Sequence, residues 1–436
     1  MNSKILIVLL MTALSIINAQ NSKTNNYNLE KLINQAITVS PEIKMLEAKY
    51  RVAKSQIEIG TNLPDPVLTL GLVNLPVNSF SFTQEPMTGK IIGISQGIPF
   101  PGALSAASDV KAVDTSIIKQ SIIDIKNKIR KDVAELYFSL QYLRENIRLA
   151  YESIELLNQI SDVVRRKYDV GTASLQNLVQ VEVQIIRVKD KIETLKSTER
   201  AVVTKLNAFL LREETENLNT ENIRSIRFFK TTADSLVKVA IKNRPLLKSI
   251  KLSVRKAELM KEQAEYTFYP NFKLALQYSQ RDYSATTSND FVDFFSVVVG
   301  ISLPINYGGN KTELVNKAIH LSTLYNEQYN LTIQKLQQTF GTFNSKLLEL
   351  ANREELITKQ LLPQAKQVYD AAIADYQVGK IDFVNVIKAE NDILNIKTEL
   401  AKIRTDYYKN LFTIEYLVGT ELTNIEKNRT EINDEE

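Results

Sequence analysis

Side chains that commonly do chemistry are scarce in this chain. His320 is the only histidine, and there is no cysteine. A Ser-His triad would need unusual partners, and a zinc site would need all-carboxylate ligation. His320 sits within a helical pattern, where it reads as a surface or packed side chain. Five methionines, two of them Met1 and Met11, make no ladder for copper or silver. Gly308-Gly309-Asn310-Lys311 lacks the spacing of a phosphate-binding loop and reads as a strand-to-helix turn. Glu182 and Glu390 look like paired acids, yet on amphipathic helices they read as solvated or lumen-facing charges. These residues predict no catalysis, no cofactor and no metal site.

The two glutamates matter for another reason: each ends one copy of a repeated motif. Tyr168-Asp-Val-Gly171-Thr-Ala-Ser174-Leu-Gln-Asn177-Leu-Val-Gln-Val-Glu182 recurs, 208 residues later and without a gap, as Tyr376-Gln-Val-Gly379-Lys-Ile-Asp382-Phe-Val-Asn385-Val-Ile-Lys-Ala-Glu390. A second set, including Leu32, Ala36, Pro41, Lys44 and Pro66, matches Leu236, Ala240, Pro245, Lys248 and Pro270 at an offset of 204. Two offsets so close imply a small insertion inside a duplicated half-molecule. The period is far longer than that of a solenoid. The expected division is a leader at 1–19, a first repeat at 20–212, a linker at 213–230, a second repeat at 231–420 and a polar tail at 421–436.

Long helices must position these motifs. Between Pro101 and Pro245 there is no proline, and Gly102 and Gly171 are the only glycines. Apolar residues recur at three and four through Ile122, Ile125, Ile129, Val133, Leu136, Leu140, Leu143 and Ile147, the seam of a coiled-coil-like helix. A helix from Leu104 to Tyr168 would be roughly 100 Å long at about 1.5 Å per residue. Gly171 suits the left-handed position that ends a helix, and Ser174 suits the cap that starts the next. Gly379 and Asp382 fill the same two roles in the second copy. Each motif is therefore a tight turn between antiparallel helices. The predicted partners are a long helix from Lys311 to Asp375, kinked or broken at Pro363, and return helices at Leu175–Leu211 and Phe383–Leu417.

Four short segments have a period of two instead. Leu68, Leu70 and Leu72 alternate with small residues, as do Ile92, Ile94 and Ile98. Phe272, Leu274, Leu276 and Tyr278 alternate with polar or small ones, and so do Phe295, Val297, Val299 and Ile301. This pattern marks strands with one apolar face, joined by loops at 75–89 and 280–290. The fold class is thus mainly α with a small β part: long helical hairpins plus two β-hairpins. Four strands cannot close a membrane barrel, which needs at least about eight. Several chains must donate strands to one barrel.

The N-terminus supports an envelope location. Lys4, the apolar run Ile5 to Ile17 and Asn18-Ala19 have the layout of a cleaved signal peptide. No later stretch approaches the roughly 20 apolar residues of a membrane helix, so membrane entry would require a barrel. Net charge is +4, from 54 basic and 50 acidic residues. That mixed balance gives no reason to expect nucleic acid.

Taken together, the leader, two β-hairpins and two pairs of long helices with Tyr-x-Val-Gly turns resemble the TolC family of outer-membrane efflux proteins. The likeness covers essentially the whole mature chain. The junction Pro304-Ile-Asn-Tyr-Gly308-Gly309 fits it, and Gln96-Gly-Ile98-Pro99-Phe-Pro101-Gly102 looks like the heavy-metal-efflux branch. The resemblance implies a homotrimer with a twelve-stranded transmembrane β-barrel continued by a helical tunnel, an α-barrel, into the periplasm of a Gram-negative cell. It implies a passive channel of a tripartite efflux or type I secretion system, docked to a periplasmic adaptor and an inner-membrane transporter. Docking would fall to the tips Val170, Gly171, Thr172, Val378, Gly379 and Lys380. The aperture or gate would fall to Asn177, Tyr376, Asn385 and Lys388. Some family members carry acidic rings where this chain has Asn385 and Lys388, so cation selectivity does not transfer. The rival reading is a secreted periplasmic coiled-coil structural or adaptor protein without a pore, which leaves the four strands without a role.

Overall fold

The computed structural model describes residues 29–283, 289–305 and 309–422. The leader expected at 1–19 and nearly all of the tail at 421–436 lie outside the described residues. Chain order is α1 (Leu29–Val39), α2 (Pro41–Thr61), β1 (Val67–Val73), β2 (Gly89–Ile98), α3 (Ala103–Asp169), α4 (Leu175–Leu210), α5 (Ala233–Asn243) and α6 (Pro245–Glu265). Then come β3 (Phe272–Gln280), β4 (Phe294–Ile301), α7 (Asn310–Leu356), α8 (Leu362–Gln377) and α9 (Phe383–Val418). A single π-helical turn, Ile357–Leu361, joins α7 to α8. Proline at 363 removes one backbone donor and crowds the carbonyl a turn earlier. The wider turn absorbs that defect, with the Leu362 N–H reaching back to the Ile357 carbonyl.

Two compact units can be distinguished. One comprises Glu42–Asp124 and Ile241–Leu336, the other Met1–Pro41, Ile125–Ala240 and Gln337–Glu436.

The first unit holds an antiparallel sheet of order β1-β2-β3-β4. Its register places Leu70 opposite Ile92, Ile92 opposite Tyr278 and Tyr278 opposite Phe295. Because side chains alternate across a strand, one face is apolar but for Lys90, Gln96 and Gln280; its apolar members are Leu68, Leu70, Leu72, Ile92, Ile94, Leu274, Leu276, Tyr278, Phe295, Val297, Val299 and Ile301. Every one of these is exposed in the single chain, Leu70 to 70%. The other face carries small or polar residues such as Gly93, Ser95, Ala275, Gln277 and Ser296. At the foot of the sheet Phe100 stacks on Tyr269 at 4.5 Å.

The second unit is helical, and its main cluster draws on four elements. Leu157, Ile160 and Val164 come from α3, Val181, Val188 and Ile192 from α4, Tyr369 and Tyr376 from α8, and Phe383, Val386 and Ile393 from α9. Each such side chain contributes about 1.5–3 kcal/mol through burial. Residues 213–230 form neither helix nor strand, yet they are firmly seated. Leu218 is buried. Gln141 donates to the Glu221 carbonyl at 2.7 Å, Tyr407 to that of Arg227 at 2.8 Å and Tyr408 to that of Ser225 at 2.7 Å. These bonds satisfy backbone groups that no ladder would reach.

Candidate functional site: the two helix-turn tips

At the first tip, α3 ends as its motif dictates. Gly171 takes φ +76°, the left-handed region. The Thr172 N–H reaches the Lys167 carbonyl at 2.8 Å and the Gly171 N–H that of Tyr168 at 2.9 Å. Together these two bonds close the helix by satisfying carbonyls at its end. Ser174 then caps α4, its hydroxyl accepting from the Asn177 N–H at 3.3 Å.

The second tip repeats the backbone and not the cap. Gly379 takes φ +80°, and the Lys380 N–H reaches the Asp375 carbonyl at 2.9 Å. Asp382 occupies the cap position with extended backbone, but its side chain accepts no capping bond. The expectation that Asp382 matches Ser174 therefore holds for position and fails for bonding. No atom lies within 4 Å of where a Cβ would stand on either glycine, so both are required for φ alone.

Around these turns, the structure separates the docking candidates from part of the gate set. Val170 and Val378 are exposed apolar knobs, and Thr172 and Lys380 are exposed beside them. Asn385 and Lys388 are also exposed, and Asn177 is half-buried.

Tyr376 instead points into the unit. Its ring meets Phe383 edge-on at 5.6 Å between centroids, and Lys167 Nζ lies 5.0 Å from its centroid. Burial raises the pKa of its hydroxyl, and Asn177 nearby lowers it by less. Asn177 falls short of full hydrogen-bond geometry, so the Tyr376 hydroxyl is buried without a partner.

Glu390 departs from expectation. The sequence places it with Glu182 as a solvated or lumen-facing charge, and Glu182 is indeed exposed. Glu390 is 2% exposed, with one oxygen accepting from the Ser153 hydroxyl of α3. The reason lies in α9, where Phe383, Val386 and Ile393 share the face that carries Glu390 and pack on the first repeat. Lys167, Phe383 and Ser153 were not singled out by the motif. The three-and-four spacing of Phe383, Val386, Glu390 and Ile393 is the signal that places this carboxylate on an apolar stripe.

Among the described residues, no group of three His, Asp or Glu is arranged to hold a metal ion, and no helix is long and apolar enough to cross a membrane.

Comparison with known proteins gives one consistent picture. The model of the outer membrane efflux protein family matches residues 236–420. Outer membrane protein TolC of Vibrio cholerae is 20% identical over 413 residues, 90% of this chain and 91% of that protein. The cobalt-zinc-cadmium resistance protein CzcC of Cupriavidus metallidurans is 18% identical over 327 residues, 74% of this chain and 75% of its own. A crystal structure of CusC superposes with a TM-score of 0.74 at 17% identity, covering 91% of this chain and 93% of that one. The family match over residues 236–420, these relatives and the shared fold make this chain similar, in its second half by sequence and over most of its length by fold, to the outer membrane efflux proteins.

Proposed function

We propose that this chain is an outer membrane efflux protein that works as a homotrimeric duct without catalytic activity, each chain giving four strands to a twelve-stranded barrel. The observation that carries the reading is the apolar sheet face. An apolar wall of this extent is untenable in water. It fits lipid only if the free edges of β1 and β4 are paired by neighbouring chains.

The helices at the tips support a ring of chains. Leu175, Glu182 and Ile186 are exposed, whereas their repeat mates Phe383, Glu390 and Leu394 are buried against the first repeat. The face left bare on α4 is thus the counterpart of the face covered on α9. A second copy presenting its own second repeat would cover it, and head-to-tail contacts of this kind close into rings.

On this reading Asn385, Lys388, Asp392, Asn395 and Lys402, an exposed polar stripe of α9, line the tunnel. Val170, Gly171, Thr172, Val378, Gly379 and Lys380 dock a periplasmic adaptor that bridges to an inner-membrane transporter. Tyr376, held between Phe383 and Lys167, keeps the tip shut. The likeness to CzcC supports the heavy-metal-efflux branch, with the metal as cargo and no resident metal site.

The test is fractionation and a planar bilayer. Heat-labile trimers in the outer-membrane fraction that conduct ions after purification are expected. A soluble periplasmic monomer would sink the proposal and restore the reading as a coiled-coil rod.

A further inference from the structure

Glu390 is a carboxylate sealed inside one protomer. At 2% exposure no neighbouring chain can touch it, so its surroundings are those of the single chain. One oxygen accepts from the Ser153 hydroxyl, and the other is buried without a partner. The groups facing it come from each packed element. Ser153 lies on α3, Lys191 on α4, Tyr369 on α8 and Lys397 on α9 itself, Lys397 being already paired with Glu152 of α3 at 3.2 Å.

A buried carboxylate with an orphaned oxygen is comfortable when protonated and costly when charged. Here burial raises its pKa more than Ser153, Lys191 and Lys397 lower it. Tyr369 is pushed up to about 12, by burial first and the Glu390 charge second, so it stays neutral and offers no compensating charge.

We propose that Glu390 is a proton-sensitive latch that seats the second helix pair on the first beside the tip, tightening when protonated and loosening when ionised. The inference rests on the reading of these helices as the wall of the duct. Its sign follows from linkage: a carboxyl whose folded pKa is raised stabilises the seat below its ordinary pKa, and that stability is lost as pH rises through the folded value. Export would then meet a tighter tip in an acidified periplasm and a looser one at neutral pH. The ordinary glutamate value of 4.5 sets the lower bound of the window.

Amide hydrogen exchange on the intact protein tests this. At each pH from 5 to 8, protection of residues 383–395 is referred to that of 403–418 on the same helix. The native chain should lose protection in 383–395 several-fold across the window. Glu390→Gln, which keeps a hydrogen-bond acceptor for Ser153 and cannot ionise, should hold its acid-state protection at every pH. Ser153→Ala removes the one hydrogen bond favouring the charged form and should shift the loss toward higher pH; a shift toward lower pH overturns the latch. A flat native profile, or a Glu390→Gln profile matching the native slope, overturns the proposal. The bilayer and fractionation outcomes above are independent of this measurement, so failure of the latch and failure of the duct are distinguishable.

Discussion

The two copies of the tip motif share a backbone and differ in what covers them. Tyr168 is 42% exposed and Tyr376 7%, while Leu175 is 57% exposed and Phe383 2%. Glu182 and Glu390 divide the same way. Helix α9 is buried on two sides, against α8 and against the first repeat, whereas α4 is left bare on one. Duplication therefore supplied two equivalent faces, and the chain uses one internally. On the proposed reading the other is an assembly surface, because the exposed apolar residues Leu175, Val179, Val183 and Ile186 lie on one helix side.

The largest effect that would break this comparison is at Phe383. Phe383→Ala should cost about 3–5 kcal/mol of protomer stability, because it empties a fully packed site. Leu175→Ala at the equivalent position should cost the protomer almost nothing. Denaturation of detergent-dispersed monomers measures both, and equal losses would remove the distinction between covered and bare faces. Next comes Val183→Glu, which leaves α4 folded but places a charge on the proposed chain-to-chain seam. Trimers should be lost while far-ultraviolet dichroism is retained. If trimers persist, the bare side of α4 is not the seam.

Much of this organisation is legible in the sequence, for identifiable reasons. The rods are legible because helix breakers are missing over a long interval, and the turns because left-handed φ restricts Gly171 and Gly379. Strand alternation reports the apolar sheet face directly. Which copy is buried is not legible, because periodicity groups residues on a helix face without saying what lies against it. The partner that buries Glu390 is Ser153, in the other repeat. The Asp382 cap is illegible for a related reason. A carboxylate at the right position still has to choose between a capping bond and solvent, and here it makes no cap.

The glycines sharpen the comparison at a smaller scale. Gly171→Val and Gly379→Val should each cost about 1–2 kcal/mol locally, since an L side chain is disfavoured at left-handed φ, and the added Cβ meets nothing within 4 Å. Trimers should still assemble while adaptor-dependent efflux falls. Loss of the trimer instead would make the turn chiefly a folding element.

Lys167→Ala should have a lesser effect, about 0.5–2 kcal/mol for a cation–π contact. The second-copy tyrosine lies under a lysine, with Lys167 Nζ 5.0 Å from the Tyr376 ring, whereas Tyr168 is exposed. The variant should raise open probability in bilayers, and unchanged gating would leave Phe383 as the holding contact.

Smallest in energy, and most specific to the pore, is Lys388→Asp. Lys388 is exposed on α9, and its repeat mate on α4 is Gln180. An exposed side chain of this kind carries little stability, so folding and trimer content should not change. In a trimer the substitution turns a ring of three positive charges into three negative ones, and a ring of charged side chains sets which ion enters. Reversal potentials in asymmetric salt should therefore move toward cation preference, while Gln180→Asp, on the first-copy helix, provides the paired measurement. If Lys388→Asp leaves the reversal potential unmoved and Gln180→Asp shifts it, the constriction belongs to the first copy. The polar stripe of α9 would then face away from the lumen.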